Sequence, residues 1–235
     1  GDDLIASMAS GPLNVTIQTP ANLYLYADAG FDNGIISHEY GHGISNRLIG
    51  GPAATTCMQN AEQMGEGWSD WFALMMQLKA GDVGTTAKGI GTYSINEPPT
   101  GAGIRNFPYS TDLAICPLTL ANSNVAEVHD RGEVWTAVLW DLTWAYIAKY
   151  GYDANVFTGT GGNNKVMKLV LDALKLQTCN TSSFINSRDM LFAAEQATTN
   201  GADYCLIAEV FRRRGMGLNA SSGLNTDALD QVEDF

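Results

Sequence analysis

Apolar positions recur at helical spacing in six stretches of the 235-residue chain and alternate with polar ones in two short stretches near its start. The alternating stretches, Asn14-Val-Thr-Ile-Gln18 and Asn22-Leu-Tyr-Leu-Tyr-Ala27, are predicted as strands. The helical period predicts helices over about 35–48, 62–79, 125–150, 164–177, 184–199 and 202–214. Gly50-Gly-Pro52 ends the first of these sharply. In the second, Trp68, Trp71, Phe72, Met75 and Met76 form a stripe that reads as core. Residues 80–124 are rich in Gly, Pro, Thr and Asn and show no period; long irregular segments tend to be functional when ordered. The loop Gly159-Thr-Gly-Gly-Asn-Asn164 lacks the Lys-Ser/Thr that a phosphate cradle needs. The expected fold class is α+β, predominantly α-helical, with a β and loop segment over 1–34 leading into a helical unit over 35–235 and no internal repeat.

Composition narrows the setting. A net charge of −12 argues against nucleic-acid binding, which needs basic patches. No apolar run reaches the length of about 18 residues needed to span a membrane. The start, Gly1-Asp-Asp-Leu-Ile5, has neither a basic region nor an apolar one and reads as a processed or trimmed terminus. Four cysteines, none in Cys-x-x-Cys spacing, favour two disulfides in an oxidising compartment. Cys179 and Cys205 bracket one helical pattern and are expected to pair, leaving Cys57 with Cys116. Low lysine content and sequons at Asn14, Asn180 and Asn219 also suit an extracellular protein.

The candidate chemistry is concentrated in His38-Glu-Tyr-Gly-His42. Histidines four apart on a helix lie on one face and reach one metal ion, while Glu39 can reach a water on the ion's open side. The chain has three histidines, and Ser45 and Leu48 occupy the places a His-x-x-Gly-x-x-His continuation would need. The third ligand is therefore expected to be a carboxylate from the next helix, either Glu62 or Glu66. Glu66 is preferred because Asp70, four residues on, can accept a hydrogen bond from a metal-bound histidine; Glu62, without such a partner, reads as a solvated acid in the helix's first turn. His129, at the head of a helix after the irregular segment, is the natural donor to the charge that develops on a substrate carbonyl. Asp28 and Asp32 offer oxygens for calcium in the turn before the first helix, but these are too few and irregular, and a plain turn is the reading.

Two runs, His-Glu-Tyr-Gly-His-Gly-Ile-Ser-Asn-Arg-Leu48 and Met64-Gly-Glu-Gly-Trp-Ser-Asp70, resemble the fungalysins, secreted zinc endopeptidases related to thermolysin. The resemblance extends through Gly103-Ile-Arg-Asn-Phe-Pro-Tyr-Ser-Thr-Asp112, Glu127-Val-His-Asp-Arg-Gly-Glu-Val-Trp135 and Phe211-Arg-Arg-Arg-Gly-Met-Gly217, and covers the chain from about Tyr24 onward. It implies zinc held by His38, His42 and Glu66, with Glu39 as base and protein or peptide substrates. It also implies that Arg105 hydrogen-bonds a substrate carbonyl and that the strand before the metal helix pairs with extended substrate. Thermolysin-like sites carry a tyrosine between the second histidine and the glutamate; residues 43–65 contain none, and Tyr109 is its expected substitute. Asn124 stands where relatives carry the acid that supports the substrate-side histidine, and Arg47 is assigned to structure. The metal motif comes early, so the expected unit is a thermolysin-like helical lobe without most of the usual β-rich N-terminal lobe. The alternative to a complete endopeptidase is a zinc-binding lobe or processed fragment that needs a propeptide or separate β-lobe as partner. An aminopeptidase is disfavoured because no Gly-x-Met-Glu-Asn motif precedes the metal helix.

Overall fold

A computed structural model of the chain describes residues 27–235, so the strands expected at 14–18 and 22–27 lie outside the described residues except for Ala27. Six helices organise the described part: α1 (Asn33–Leu48), α2 (Gly65–Gln77), α3 (Val128–Tyr150), α4 (Gly162–Leu176), α5 (Phe184–Thr199) and α6 (Tyr204–Arg213). Among the described residues β-pairing is limited to isolated bridges, such as Lys88 opposite Tyr109 and Ile90 beside Gly103. The mainly helical character expected of this part is what the structure shows.

α2 is the central element, buried continuously from Gly67 to Met75 and packed between α1 and α3. A helix that is apolar almost all round has to be covered on every side. Small residues permit the close crossings. A Cβ on Gly41 of α1 would lie 2.7 Å from the Ser69 Cα, and one on Gly67 would lie 2.4 Å from the Gly132 carbonyl oxygen of α3. Beside that crossing Trp68 and Trp135 meet edge to face at 4.9 Å, and Trp135 continues to Phe184 of α5 and Phe211 of α6. The Trp71 indole N–H donates to Thr143 at 2.9 Å, satisfying a buried donor. The tryptophans expected in the core are there.

α2 starts three residues later than the apolar period suggests. The Gln63 side chain accepts from the Gly65 N–H at 2.6 Å, and Glu62 stays in the turn before the helix. Glu62 is therefore not a solvated first-turn acid: it is 1 % exposed, and its contact is the Gln231 amide at 3.3 Å. Burial pushes its pKa up to about 7.

The cysteine pairing differs from the expectation. Cys57 is bonded to Cys179, with Cα atoms 4.3 Å apart; Cys116 is buried and unpaired, and Cys205 is exposed on α6. The loop after α1 lies against the turn between α4 and α5, where the Asn180 N–H donates to the Cys57 carbonyl at 2.7 Å. Cys57 and Cys179 therefore meet because two loops dock, a contact that spacing along the chain does not encode.

The segment between α2 and α3 is ordered by polar anchors. Arg214, fully buried, donates to both Asp141 oxygens on α3 and to the carbonyls of Ser110, Cys116 and Leu118. Arg213 adds a bond to Asp141 and one to the Thr111 carbonyl. These contacts hold residues 110–118 against α3, and with them the approach of Arg105 and Tyr109 to α2. Among the described residues no helix is long and apolar enough to cross a membrane.

Candidate metal centre

α1 is started by Asp32, whose one carboxylate oxygen accepts from Gly34 N and Ile35 N while the other accepts from Tyr93 N and Ser94 N. Asp28 likewise accepts from Gly30 N. Both acids serve as caps and turn anchors. One turn into α1 His38 is buried, His42 lies a turn further on the same face, and their rings meet at 4.8 Å. Glu66 enters from the first turn of α2. One ligand atom from each of His38, His42 and Glu66 lies within 4.8 Å of the others, and this is the one such group of three among the described residues. The choice of Glu66 over Glu62 as neighbour of the two histidines agrees with this geometry.

The chemistry of the donors tests whether a cation fits. Asp70 lies one turn beyond Glu66, and His38 Nδ1 is 2.6 Å from its Oδ1. Burial would raise the Asp70 pKa, but the hydrogen bonds from His38 and Arg105 outweigh it and hold it at about 2. An ionised Asp70 can only accept, so Nδ1 carries a proton and Nε2 is the nitrogen that faces Glu66 Oε2, at 3.1 Å. Glu66 Oε2 is buried and has no aligned hydrogen bond, although His129 Nε2 also comes within 3.3 Å. His42 Nε2 stands 3.5 Å from the other Glu66 oxygen. A carboxylate and two ring nitrogens converging this closely need a positive charge among them, either a metal ion or a proton. Two imidazoles, a carboxylate and an open side suit zinc.

Without an ion that charge is a proton. Burial lowers the His38 pKa, but hydrogen bonds to Asp70 and Glu66 more than offset it and raise it to about 9. Burial lowers the pKa of His42. Glu66 is held below the carboxylate range: its burial works the other way and is outweighed by His38, His42 and His129. Metal binding displaces the proton from such ligands.

Arg105 and Tyr109 both point at Asp70. Arg105 Nε and Nη2 donate to the two Asp70 oxygens at 2.7 and 2.8 Å, and Nη1 makes no hydrogen bond to the described residues. Tyr109, expected as an oxyanion donor, is fully buried and donates its hydroxyl to Asp70. The Tyr109 backbone pairs with Lys88 in an isolated antiparallel bridge. Asp70 thus accepts from His38, Arg105 and Tyr109 together.

Glu39 is exposed and lines a depression of about 610 Å³ with Tyr40, Gly43, Ile44, Arg47 and Leu48. His129, half exposed, sits in the first turn of α3 with Nε2 toward Glu66 and Nδ1 2.6 Å from Glu127 Oε1. The other Glu127 oxygen caps α3 by accepting from Asp130 N at 2.8 Å. The acid beside this ring is thus Glu127, two residues before it, and not a residue at position 124. The signal was present: an acid just before a helix that opens with the histidine is a capping residue within reach of that ring. Asn124 instead exchanges hydrogen bonds with the backbone of Gln231.

Comparison with known proteins bears on this centre. The family model described as fungalysin metallopeptidase (M36) matches residues 15–220. "Extracellular metalloproteinase 2" of Arthroderma gypseum is 40% identical over 207 residues, covering 84% of this chain and 32% of the relative. Relatives named extracellular metalloproteinase from Aspergillus terreus and Pyricularia oryzae are 38% and 37% identical, each over 90% of this chain and 36% of the relative. The chain thus spans about a third of the length of the curated relatives it matches. On the family match, which takes in α1 with its two histidines, α2 with Glu66 and α3 with His129, the chain belongs to the fungalysin metallopeptidase family.

Proposed function

We propose that this chain is the zinc-holding helical part of a secreted endopeptidase that hydrolyses peptide bonds in proteins. The observation that carries the reading is the convergence of His38, His42 and Glu66 within 4.8 Å, with Glu39 exposed alongside. His38, His42 and Glu66 would hold zinc there, and the ion would supply Lewis acidity toward a water and a peptide carbonyl. Glu39, next to His38 but turned to the open depression, takes the water's proton and passes it to the departing amine. Asp70 keeps the proton on His38 Nδ1, so Nε2 remains the ligating nitrogen.

His129 donates from Nε2 to the negative charge growing on the carbonyl oxygen. Its Nδ1 lies 2.6 Å from Glu127 Oε1, a contact that orients the ring. Arg105 has two nitrogens committed to Asp70 and meets a substrate carbonyl through Nη1. Residues 35–235 form the helical lobe. Secretion accords with the extracellular naming of the relatives and with the Cys57–Cys179 disulfide.

The test measures zinc content and cleavage of casein and a quenched peptide in the same sample, with and without a chelator. Glu39→Gln is expected to keep one equivalent of zinc and lose cleavage; cleavage at the wild-type rate in that variant would remove Glu39 from the role. A wild-type chain that holds zinc but cleaves nothing would establish a zinc-binding lobe that requires a partner β-lobe.

A further inference from the structure

We infer that Glu133, a buried acid on α3 outside the ligand set, is a positioning residue that fixes where Arg105 grips Asp70, through its hold on Asn106. The inference rests on the zinc reading of the site. Glu133 lies one turn after His129 on the same face of α3 and is 1 % exposed. Its Oε1 accepts from the Asn106 backbone N–H at 2.8 Å and from the Asn106 side-chain amide at 3.2 Å. Asp130, one turn earlier, accepts from that same amide at 2.7 Å. The other Glu133 oxygen is buried without a well-aligned hydrogen bond, with the Phe107 backbone N–H nearby, and among the described residues no cation forms an ion pair with this carboxyl.

A buried acid with one oxygen poorly partnered is a costly occupant of a helix whose next two residues, Val134 and Trp135, are fully buried apolar ones. Burial pushes its pKa up to about 7. An apolar side chain would fill the space without that penalty, but it could not accept from Asn106. The structure shows what the acceptor accomplishes. Arg105 and Asn106 are consecutive, and they are held in opposite directions: Arg105 forks onto Asp70 of α2, and Asn106 is clamped by α3. The Gly67–Gly132 contact sets how far apart those two helices stand. The dipeptide is therefore a strut of set length, and the Arg105 fork meets Asp70 squarely only while Asn106 stays in its clamp. Asp70 in turn orients His38. α3 thereby carries His129 for the substrate side and, through Glu133, a hold on the ligand side, so one rigid helix keeps the two in register.

The test uses the 235-residue chain loaded with zinc, and with cobalt as a spectroscopic reporter of ligand geometry, in the variants Glu133→Gln and Glu133→Leu. Glutamine keeps the acceptor and the volume and is expected to preserve the cobalt visible spectrum, the zinc affinity and kcat. Leucine is expected to shift the cobalt bands and to lower zinc affinity or kcat about 10- to 100-fold, with KM little changed. A leucine variant with the wild-type cobalt spectrum and zinc affinity would overturn the inference. If leucine prevents folding, Asn106→Ala, at an exposed residue, removes the side-chain half of the clamp. It is expected to shift the same bands in the same direction, and an unchanged spectrum there overturns the inference equally. The cobalt spectrum and zinc affinity are read without substrate. A wild type that binds metal but cleaves nothing would mean that cleavage needs a partner lobe, and it would leave this test standing.

Discussion

Breaking the Cys57–Cys179 bridge is the perturbation with the clearest magnitude. The bridge closes a loop of 122 residues that contains α2, α3 and α4. Chain-entropy reasoning assigns a loop of that length about 5 kcal/mol of stabilisation, through restriction of the unfolded chain. Residual structure in the unfolded state and local relaxation lower what is measured, and roughly 2–4 kcal/mol is the usual yield. Both half-cystines are removed from the bond whichever one is mutated. Cys57→Ala, Cys179→Ala and the double variant are therefore expected to lose similar amounts, a non-additivity that marks a shared interaction. Cys205→Ser, at an exposed residue, is expected to stay within about 0.5 kcal/mol of wild type. The assay is urea unfolding followed by tryptophan fluorescence, together with mapping of disulfide-linked peptides under non-reducing conditions. The ligands sit on helices pinned by the Gly41–Ser69 crossing rather than by this loop, so zinc binding below the transition is expected to survive. A peptide map joining Cys57 to Cys116 or Cys179 to Cys205, or a Cys57→Ala variant as stable as wild type, would refute the reasoning.

Two further perturbations test the packing and the electrostatics. Gly67→Ala places a Cβ 2.4 Å from the Gly132 carbonyl oxygen and 2.9 Å from the Trp135 Cβ, so α2 and α3 have to part; a loss of about 1–3 kcal/mol is expected by thermal or urea unfolding, and an unchanged transition would contradict the close crossing. Glu62 has its pKa raised by burial from 4.5 to about 7, so the folded protein holds that proton more tightly than the unfolded chain. Its contribution to stability is complete below about pH 4.5 and disappears as pH rises through about 7. Glu62→Gln should flatten the dependence of urea stability on pH between 5 and 8 and exceed wild type at the upper end by up to roughly 3 kcal/mol; parallel pH curves for the two proteins would show that Glu62 is not held neutral by its surroundings.

The sequence by itself determined the helices, because the 3.6-residue apolar period and the Gly-Pro breaks are local properties of the chain. It also determined the metal-ligand candidates on α1, since two histidines four apart must share a face. The preference for Glu66 followed from spacing too, as Asp70 is one turn away on the same helix and the structure puts it on His38. What tertiary structure decided was everything that depends on which distant surfaces meet. Glu62 became a buried acid because the C-terminal residues around Gln231 cover it. Cys57 found Cys179 because two loops dock. Tyr109 and Arg105 turned toward Asp70, and Glu133 toward Asn106, because an aperiodic segment was threaded between α2 and α3. A segment without a period has no local energy term that dictates its path. Its course is chosen by where buried polar groups can find partners, and those partners exist only once the helices have packed.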